Sequence, residues 1–317
     1  MSDPFFHPVS GFDLPRFAGV PTFMRLPHVD PDNPRFGDVD VGIIGVPWDS
    51  GTTNRAGARH GPRQLRDMST MIRAQNGATG VRPFEVLNCA DLGDVPPNPI
   101  DIMDSMNRIT AFYDRVLAAG ITPLTAGGDH LSSLPILRSL GKAAPLGMIH
   151  FDSHTDLFDS YFGGSKYTHG TPFRRAVEEG LLDPKRVIQI GIRGSAYDNE
   201  DLDFAAAVGI RIVRIEEFFA RGLDDVMAEA LDIVGTAPTY VSYDIDFVDP
   251  TFAPGTGTPE VGGPNGFQAL QVARLLKDVN IRGADLVEVS PPFDASGGTA
   301  FLGVSIMFEI LCAMAGK

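Results

Sequence analysis

Short runs of β-branched and apolar residues recur at 40–46 (DVGIIGV), 121–125 (ITPLT), 145–151 (PLGMIHF), 187–192 (VIQIGI), 210–215 (IRIVRI), 239–246 (TYVSYDID) and 281–289 (IRGADLVEV). A weaker run sits near 85–90. Several are almost continuously apolar, the pattern of strands covered on both faces in a parallel sheet. Between many of them the apolar spacing becomes helical. Asp101 to Ala119 predicts one helix, stopped before Gly120, a residue suited to a helix C-terminus. Pro172 to Glu179 and Asp224 to Val234 predict two more, and a last helix runs from about residue 299. About eight strand–helix alternations result, so the class is α/β with a parallel sheet. An eight-stranded β/α barrel fits the same count and remains an alternative on pattern alone.

No linker, charge block, repeat or low-complexity stretch divides the chain. The first 35 residues, with several prolines and aromatics, read as an irregular N-terminal arm (1–35) before a single domain (36–317). Such an arm suits either a contact with a neighbouring subunit or a strap across its own core. Composition narrows the partners. With Lys+Arg 26 against Asp+Glu 40 and a formal net charge of -14, nucleic acid and anionic membrane surfaces are disfavoured. Cys89 and Cys312 are the two cysteines and lack metal-type spacing, which fits a reducing, cytoplasmic setting. The acidic, proline-interrupted start is not a signal-peptide pattern. The longest apolar stretch, Phe301 to Gly316, is broken by Glu309 and is shorter than the ~20 residues of a membrane span. A soluble protein is expected.

The chemistry gathers at strand ends. Gly127-Gly128-Asp129-His130 follows one run, Asp152-Ser153-His154-Thr155-Asp156 another, and Asp244-Ile245-Asp246 a third. Ligands of parallel α/β sheets bind beyond the carboxyl ends of strands, so these segments can converge. Asp152, His154 and Asp156 share one side if extension persists, as do Asp244 and Asp246. Carboxylates crowded this closely resist ionisation unless cations neutralise them. Four aspartates and two neutral imidazoles balance two divalent ions, and a mixed Asp/His set suits Mn²⁺, Ni²⁺, Co²⁺ or Zn²⁺. Any one strand-end Asp is more often a helix cap or turn residue, and a lone His more often a packed one; the combination favours metal. Asp129, Asp159 and Asp249, beside the motifs, are read as supporting or turn residues.

At these residues the sequence resembles the ureohydrolase family of arginases, agmatinases, guanidinobutyrases and guanidinopropionases. The matching motifs are GGDH (127–130), DSHTD (152–156), HGTPFRR (169–175), SYDIDFVDP (242–250), GTGTPEVGG (255–263) and VEVSPP (287–292). Segments 45–63 and 167–184 look most like bacterial guanidinopropionase, with guanidinobutyrase next. The resemblance implies a three-layer αβα arginase-type fold with a parallel eight-stranded sheet, which displaces the barrel. It implies two divalent ions, Mn²⁺ first and Ni²⁺ as alternative, held by His130, Asp152, Asp156 and Asp244 on one side and by His154, Asp152, Asp244 and Asp246 on the other. Glu288 matches the family acid that pairs with the guanidinium, and His169 the loop histidine that passes a proton to the leaving amine. The implied reaction is hydrolysis of a small guanidino compound such as guanidinopropionate or guanidinobutyrate to urea and an amine. Trimers or hexamers are implied, of one chain or of unlike paralogues. An acyl-lysine deacetylase, which shares the fold class, is disfavoured by HGTPFRR and VEVSPP.

One position departs from the family pattern. A polar residue followed by Asn commonly succeeds the D-x-H-x-D motif and holds the substrate's tail; here Leu157 and Phe158 stand there. Ser153 also replaces the usual Ala. An apolar wall favours an alkyl group, so an N-alkylguanidine or a biguanide such as metformin, yielding guanylurea, is the alternative substrate. In the other reading Phe158 packs internally, and the tail is read by Tyr161, Trp48 or the N-terminal arm. Thr258, in the glycine-rich wall, is a further candidate substrate neighbour. A non-catalytic subunit of a hetero-oligomer is a third reading, and the intact ligand set argues against it.

Overall fold

In this computed structural model, which describes residues 2–316, the strands are β1 (Val41–Gly45), β2 (Cys89–Asp94), β3 (Thr122–Ala126), β4 (Leu146–Phe151), β5 (Leu182–Ile192), β6 (Arg211–Arg214), β7 (Thr239–Asp244) and β8 (Ile281–Val287). They form one sheet in the order β2-β1-β3-β8-β7-β4-β5-β6, every pairing parallel. The sheet is open, with β2 and β6 at its edges, so the arrangement is not a barrel. Consecutive strand residues serve opposite faces, as the pleat requires. Ile43, Ile149, Ile188 and Val241 enter one core with helices Gly61–Met68, Leu223–Val234, Gly266–Arg274 and Gly298–Ala315. Ile44, Met148, Val187 and Tyr240 enter the other with helices Ile102–Ala118, Ser133–Leu140, Pro172–Glu178 and Glu200–Val208. The result is the expected three-layer αβα architecture with a parallel eight-stranded sheet.

The helix predicted over 101–119 spans Ile102–Ala118, with the Asp101 carboxylate accepting from the Asp104 N–H at 3.0 Å and Gly120 at φ 81° just beyond. The apolar segment at the C-terminus is helix Gly298–Ala315. Its 18 residues reach a mean hydropathy of 1.8, enough by length and composition to cross a membrane, yet 72% of it is buried inside the molecule. It is a core helix, all-round apolar because layers pack on several sides.

Some boundaries differ from the sequence reading. The run at 85–90 becomes a strand only at Cys89, because Pro83 opens a helical turn over Pro83–Val86. The runs 239–246 and 281–289 leave the sheet at Asp244 and Val287, just where the chemistry starts. The arm makes no long element. Phe6, Phe23, Leu26 and Val29 are buried in the molecule's own core, whereas Phe12, Phe17 and Val20 are exposed.

What this topology does for the site is simple. β3, β8, β7 and β4 lie side by side, although they come from four distant stretches of sequence. The GGDH, VEVSPP, DIDFVDP and DSHTD segments leave their carboxyl ends in that order.

Candidate metal centre

Each ligand candidate sits where a strand gives way to a turn. Gly128 lets the chain after β3 pass against the Trp48 backbone, since a Cβ there would lie 1.7 Å from the Trp48 carbonyl oxygen. That contact sets His130 at the start of its turn, buried. After β4 the chain does not stay extended: Asp156 adopts φ 54°, so Asp152, His154 and Asp156 converge through a turn rather than by strand alternation. After β7 the Asp244 carboxylate accepts from the Asp246 N–H at 2.7 Å and closes a single turn that brings the two acids together.

The candidate ligands converge on two centres. His130 Nδ1 lies 3.1 Å from Asp152 Oδ2, 3.0 Å from Asp156 Oδ2 and 3.2 Å from Asp244 Oδ2. It is buried and hydrogen-bonds to none of them. One proton on Nδ1 serves one acceptor, whereas a divalent cation at the centre of these four atoms serves all of them. On the cavity side, His154 Nδ1 lies 3.1 Å from Asp246 Oδ2 and 3.5 Å from Asp152 Oδ1. Asp152 therefore turns one oxygen to each centre, and the donor set fits two divalent ions.

Electrostatics agree. Burial, with the charges of Asp246 and Asp152, pushes Asp244 well above the usual carboxylate range, and burial beside Asp152 also raises Asp246. Burial works against charge on His130 and His154, yet the surrounding carboxylates outweigh it and raise both imidazoles well above their ordinary value. Without cations the cluster can relieve its negative charge only by holding protons.

A ring of supporting contacts fixes the ligands. Ser242 donates to Asp285 Oδ1 at 2.7 Å, so its oxygen accepts from His130 Nε2 at 2.9 Å. That leaves Nδ1 of the neutral ring free to face a cation. Asp285 also receives the hydroxyls of Ser133 (2.6 Å) and Tyr240 (2.5 Å). Ser153 donates through Oγ to Asp246 at 2.6 Å. Asp129, Asp159 and Asp249 take supporting places: Asp129 accepts from the Gly51 N–H at 2.7 Å, Asp159 binds Arg175 at 2.9 Å, and Asp249 accepts from Gly262 at 2.7 Å.

Glu288 and His169 meet beside the cluster. Glu288 leaves β8 at φ 62°, a left-handed conformation unusual for a residue with a side chain. Its Oε1 accepts from the His130 N–H at 3.0 Å and from His169 Nδ1 at 2.9 Å, and Glu288 faces the cavity. Burial opposes charge on His169, but Glu288, with Asp129 and Asp156, pushes its pKa up to about 9. In the charged ring Nε2–H meets Thr53 Oγ at 2.8 Å; the Thr53 N–H, 3.2 Å from the same nitrogen, bonds to it in the neutral ring.

The cluster opens into a cavity of about 530 Å³ lined by His154, Asp156, Asp244, His169 and Glu288 on the inner side. Phe158, Tyr161 and Thr258, three of the residues proposed from sequence for substrate contact, line it too. Tyr197 joins them, its ring 6.4 Å from Phe158, while Phe158 and Tyr161 meet edge to face at 5.6 Å. Trp48 does not take part; it is buried, as is Leu157, and none of the described arm residues lines the cavity. Sequence reasoning missed Thr53, His150, Ser242 and Asp285. His150 was within reach of the alternation rule, on β4 two residues before Asp152. Ser242 opens a motif whose acids drew attention first, Asp285 lies within an apolar strand run, and Thr53 sits in segment 45–63.

Comparison with known proteins agrees with this geometry. Residues 39–313 match the model of the arginase family. Guanidinopropionase of Pseudomonas aeruginosa is 55% identical over 99% of this chain and 98% of its own length. Guanidinobutyrase of the same organism is 47% identical over 98% and 97%. The structure of proclavaminate amidino hydrolase from Streptomyces clavuligerus superposes with a TM-score of 0.90 at 40% identity, covering 95% of this chain and 99% of that one. With this fold and these ligand motifs at the ends of adjacent strands, the chain belongs to the arginase family and is a hydrolase of C–N bonds in linear amidines.

Proposed function

We propose that the protein is a dinuclear-metal guanidino acid hydrolase, releasing urea from guanidinopropionate or guanidinobutyrate. The observation that carries this reading is His130 Nδ1, buried among carboxylate oxygens of Asp152, Asp156 and Asp244 at 3.0–3.2 Å without a hydrogen bond, while Asp156 and Asp244 line the same cavity as Glu288. His130, Asp152, Asp156 and Asp244 would hold one ion and His154, Asp152, Asp244 and Asp246 the other. Two such ions lower the pKa of water from 15.7 to about 7 and so supply a nucleophile at neutral pH.

The remaining work falls to the chain's own residues. Glu288 offers a fixed carboxylate to the planar guanidinium, a pairing strengthened by charge and by parallel N–H···O bonds. Fixing the guanidinium orients its carbon toward the metal side of the cavity. His169, charged at neutral pH by its contact with Glu288, holds a proton at Nε2 for the departing amine. Phe158, Tyr161 and Thr258 line the path beyond and limit water around the reacting carbon. Guanidinopropionase at 55% identity and guanidinobutyrase at 47% support a carboxylate-bearing substrate. The Phe158–Tyr161–Tyr197 aromatic cluster supports a second reading, an N-alkylguanidine or biguanide such as metformin, in which the wall packs against alkyl groups.

A urea-release panel tests both readings, with guanidino acids, agmatine, arginine, dimethylguanidine and metformin run in parallel with Mn²⁺ and with Ni²⁺. Clear preference for the guanidino acids supports the first; preference for the alkylated compounds replaces it with the second. Absence of turnover on every guanidine with both metals overturns the hydrolase assignment of the site.

A further inference from the structure

His150 lies in β4 with its side chain fully buried, beside the metal cluster but outside the six candidate ligands. Its Nε2 is 2.8 Å from Asp152 Oδ2. Its Nδ1 is 3.0 Å from Gln189 Nε2, and the same amide nitrogen lies 2.7 Å from the Thr155 carbonyl oxygen. A carbonyl can only accept, so the Gln189 group facing it is the NH₂; the flipped amide would set two acceptors against each other at that distance. The amide then donates to His150 Nδ1, which must be an acceptor. The proton of the neutral ring therefore sits on Nε2 and points at Asp152. A protonated Nε2 has no lone pair for an ion, so His150 is not itself a ligand.

The ring has no freedom to do otherwise. Phe173 lies 4.5 Å from it and His130 5.0 Å, centroid to centroid, and Phe173 also packs edge to face on His130 at 5.0 Å. Asp152 is the ligand that turns one oxygen to each metal centre, Oδ2 toward His130 and Oδ1 toward His154. We propose that His150, held in one tautomer by Gln189, is the positioning residue that aims the Asp152 carboxylate at both ions. This rests on the dinuclear reading above. Carboxylate ligands are commonly oriented by such a hydrogen bond, and losing one typically weakens metal binding by about 10–100-fold.

The test measures metal, not only turnover. Ion content per chain and affinity, read by competition with a chelator, are compared for the wild type, His150→Phe, His150→Gln and Gln189→Leu. His150→Phe keeps a ring against Phe173 but removes the donor, and is expected to lose about 10–100-fold in affinity for at least one ion. His150→Gln retains an N–H and is expected to recover part of that loss, with Gln189→Leu falling between. Turnover of His150→Phe should rise toward the wild type as metal is added. Wild-type ion content and affinity in His150→Phe overturn the proposal. If that variant does not fold, unchanged affinity in both His150→Gln and Gln189→Leu overturns it equally. A wild-type chain that binds no divalent ion removes the dinuclear reading itself, a different outcome from the failure of His150.

Discussion

The cavity has two unlike ends. At the inner end three of the four aspartates are held by a second contact: Asp152 by His150, Asp244 by the Asp246 N–H, Asp246 by Ser153. Nearly all of it is buried. At the outer end Tyr161 and Tyr197 each pack against Phe158, but Tyr197 is 87% exposed and Phe162, beside Tyr161, 76%. Fixed polar geometry performs one reaction on many substrates, whereas a loosely held apolar wall changes its preference with one side chain. The reaction class is therefore written at the inner end and the substrate at the outer one.

Substitutions should separate the two ends, with the largest effect on the inner. Asp152→Asn removes a charge facing both centres and is expected to cut kcat/KM on the order of 10³-fold or more, with ion content falling. Metal analysis beside steady-state kinetics checks this; full ion occupancy in the variant would break the view that Asp152 serves both centres. Next comes Glu288→Gln. It keeps the shape but loses the charge-assisted pair with the guanidinium, and should cost about 10²–10³-fold in kcat/KM while both ions stay bound. Unchanged KM and kcat would move guanidinium recognition away from the inner end.

A pH profile probes the boundary between the ends. The pKa of His169 is raised to about 9, so the ring is charged below that pH and neutral above it. Proton delivery to the leaving amine is then present at neutral pH and lost as pH rises through about 9, giving an alkaline fall in kcat. His169→Asn should lower kcat about 10²-fold and flatten that limb. The smallest effect belongs to the outer wall. Phe158→Asn is expected to shift the ratio of kcat/KM between guanidinopropionate and dimethylguanidine by about tenfold toward the acid, with little change in ion content. An unaltered ratio would show that the tail is read elsewhere.

What the sequence made legible follows the same division. The D-x-H-x-D and D-x-D spacings carry ligand chemistry that survives even though the backbone bends at Asp156 instead of extending. The apolar runs marked the strands because a parallel sheet buries both faces; the family resemblance supplied their number and layering, and their order came only with the structure. Helices Gly61–Met68 and Ser133–Leu140 begin within or just after motif segments, where prolines, glycines and catalytic residues obscure the helical period. Gly266–Arg274 carries an Asn265–Gln268 capping box that was readable in advance. Phe158 and Trp48 are both large aromatics near the motifs, yet one lines the cavity and the other is buried in the core. Residue type alone does not separate them.

Asp156 and Glu288 share a property beyond their place in the site: each holds a left-handed backbone, at φ 54° and 62°. Side chains with a Cβ pay roughly 1–3 kcal/mol for such a posture. Without cations that tension would add to the crowding of the aspartates, which raises Asp244 and Asp246, so the site would be a strained part of the fold. Ions held there would clasp the turns after three strands, β3, β7 and β4, so the lifetime of the folded enzyme is expected to track metal supply as closely as its rate does.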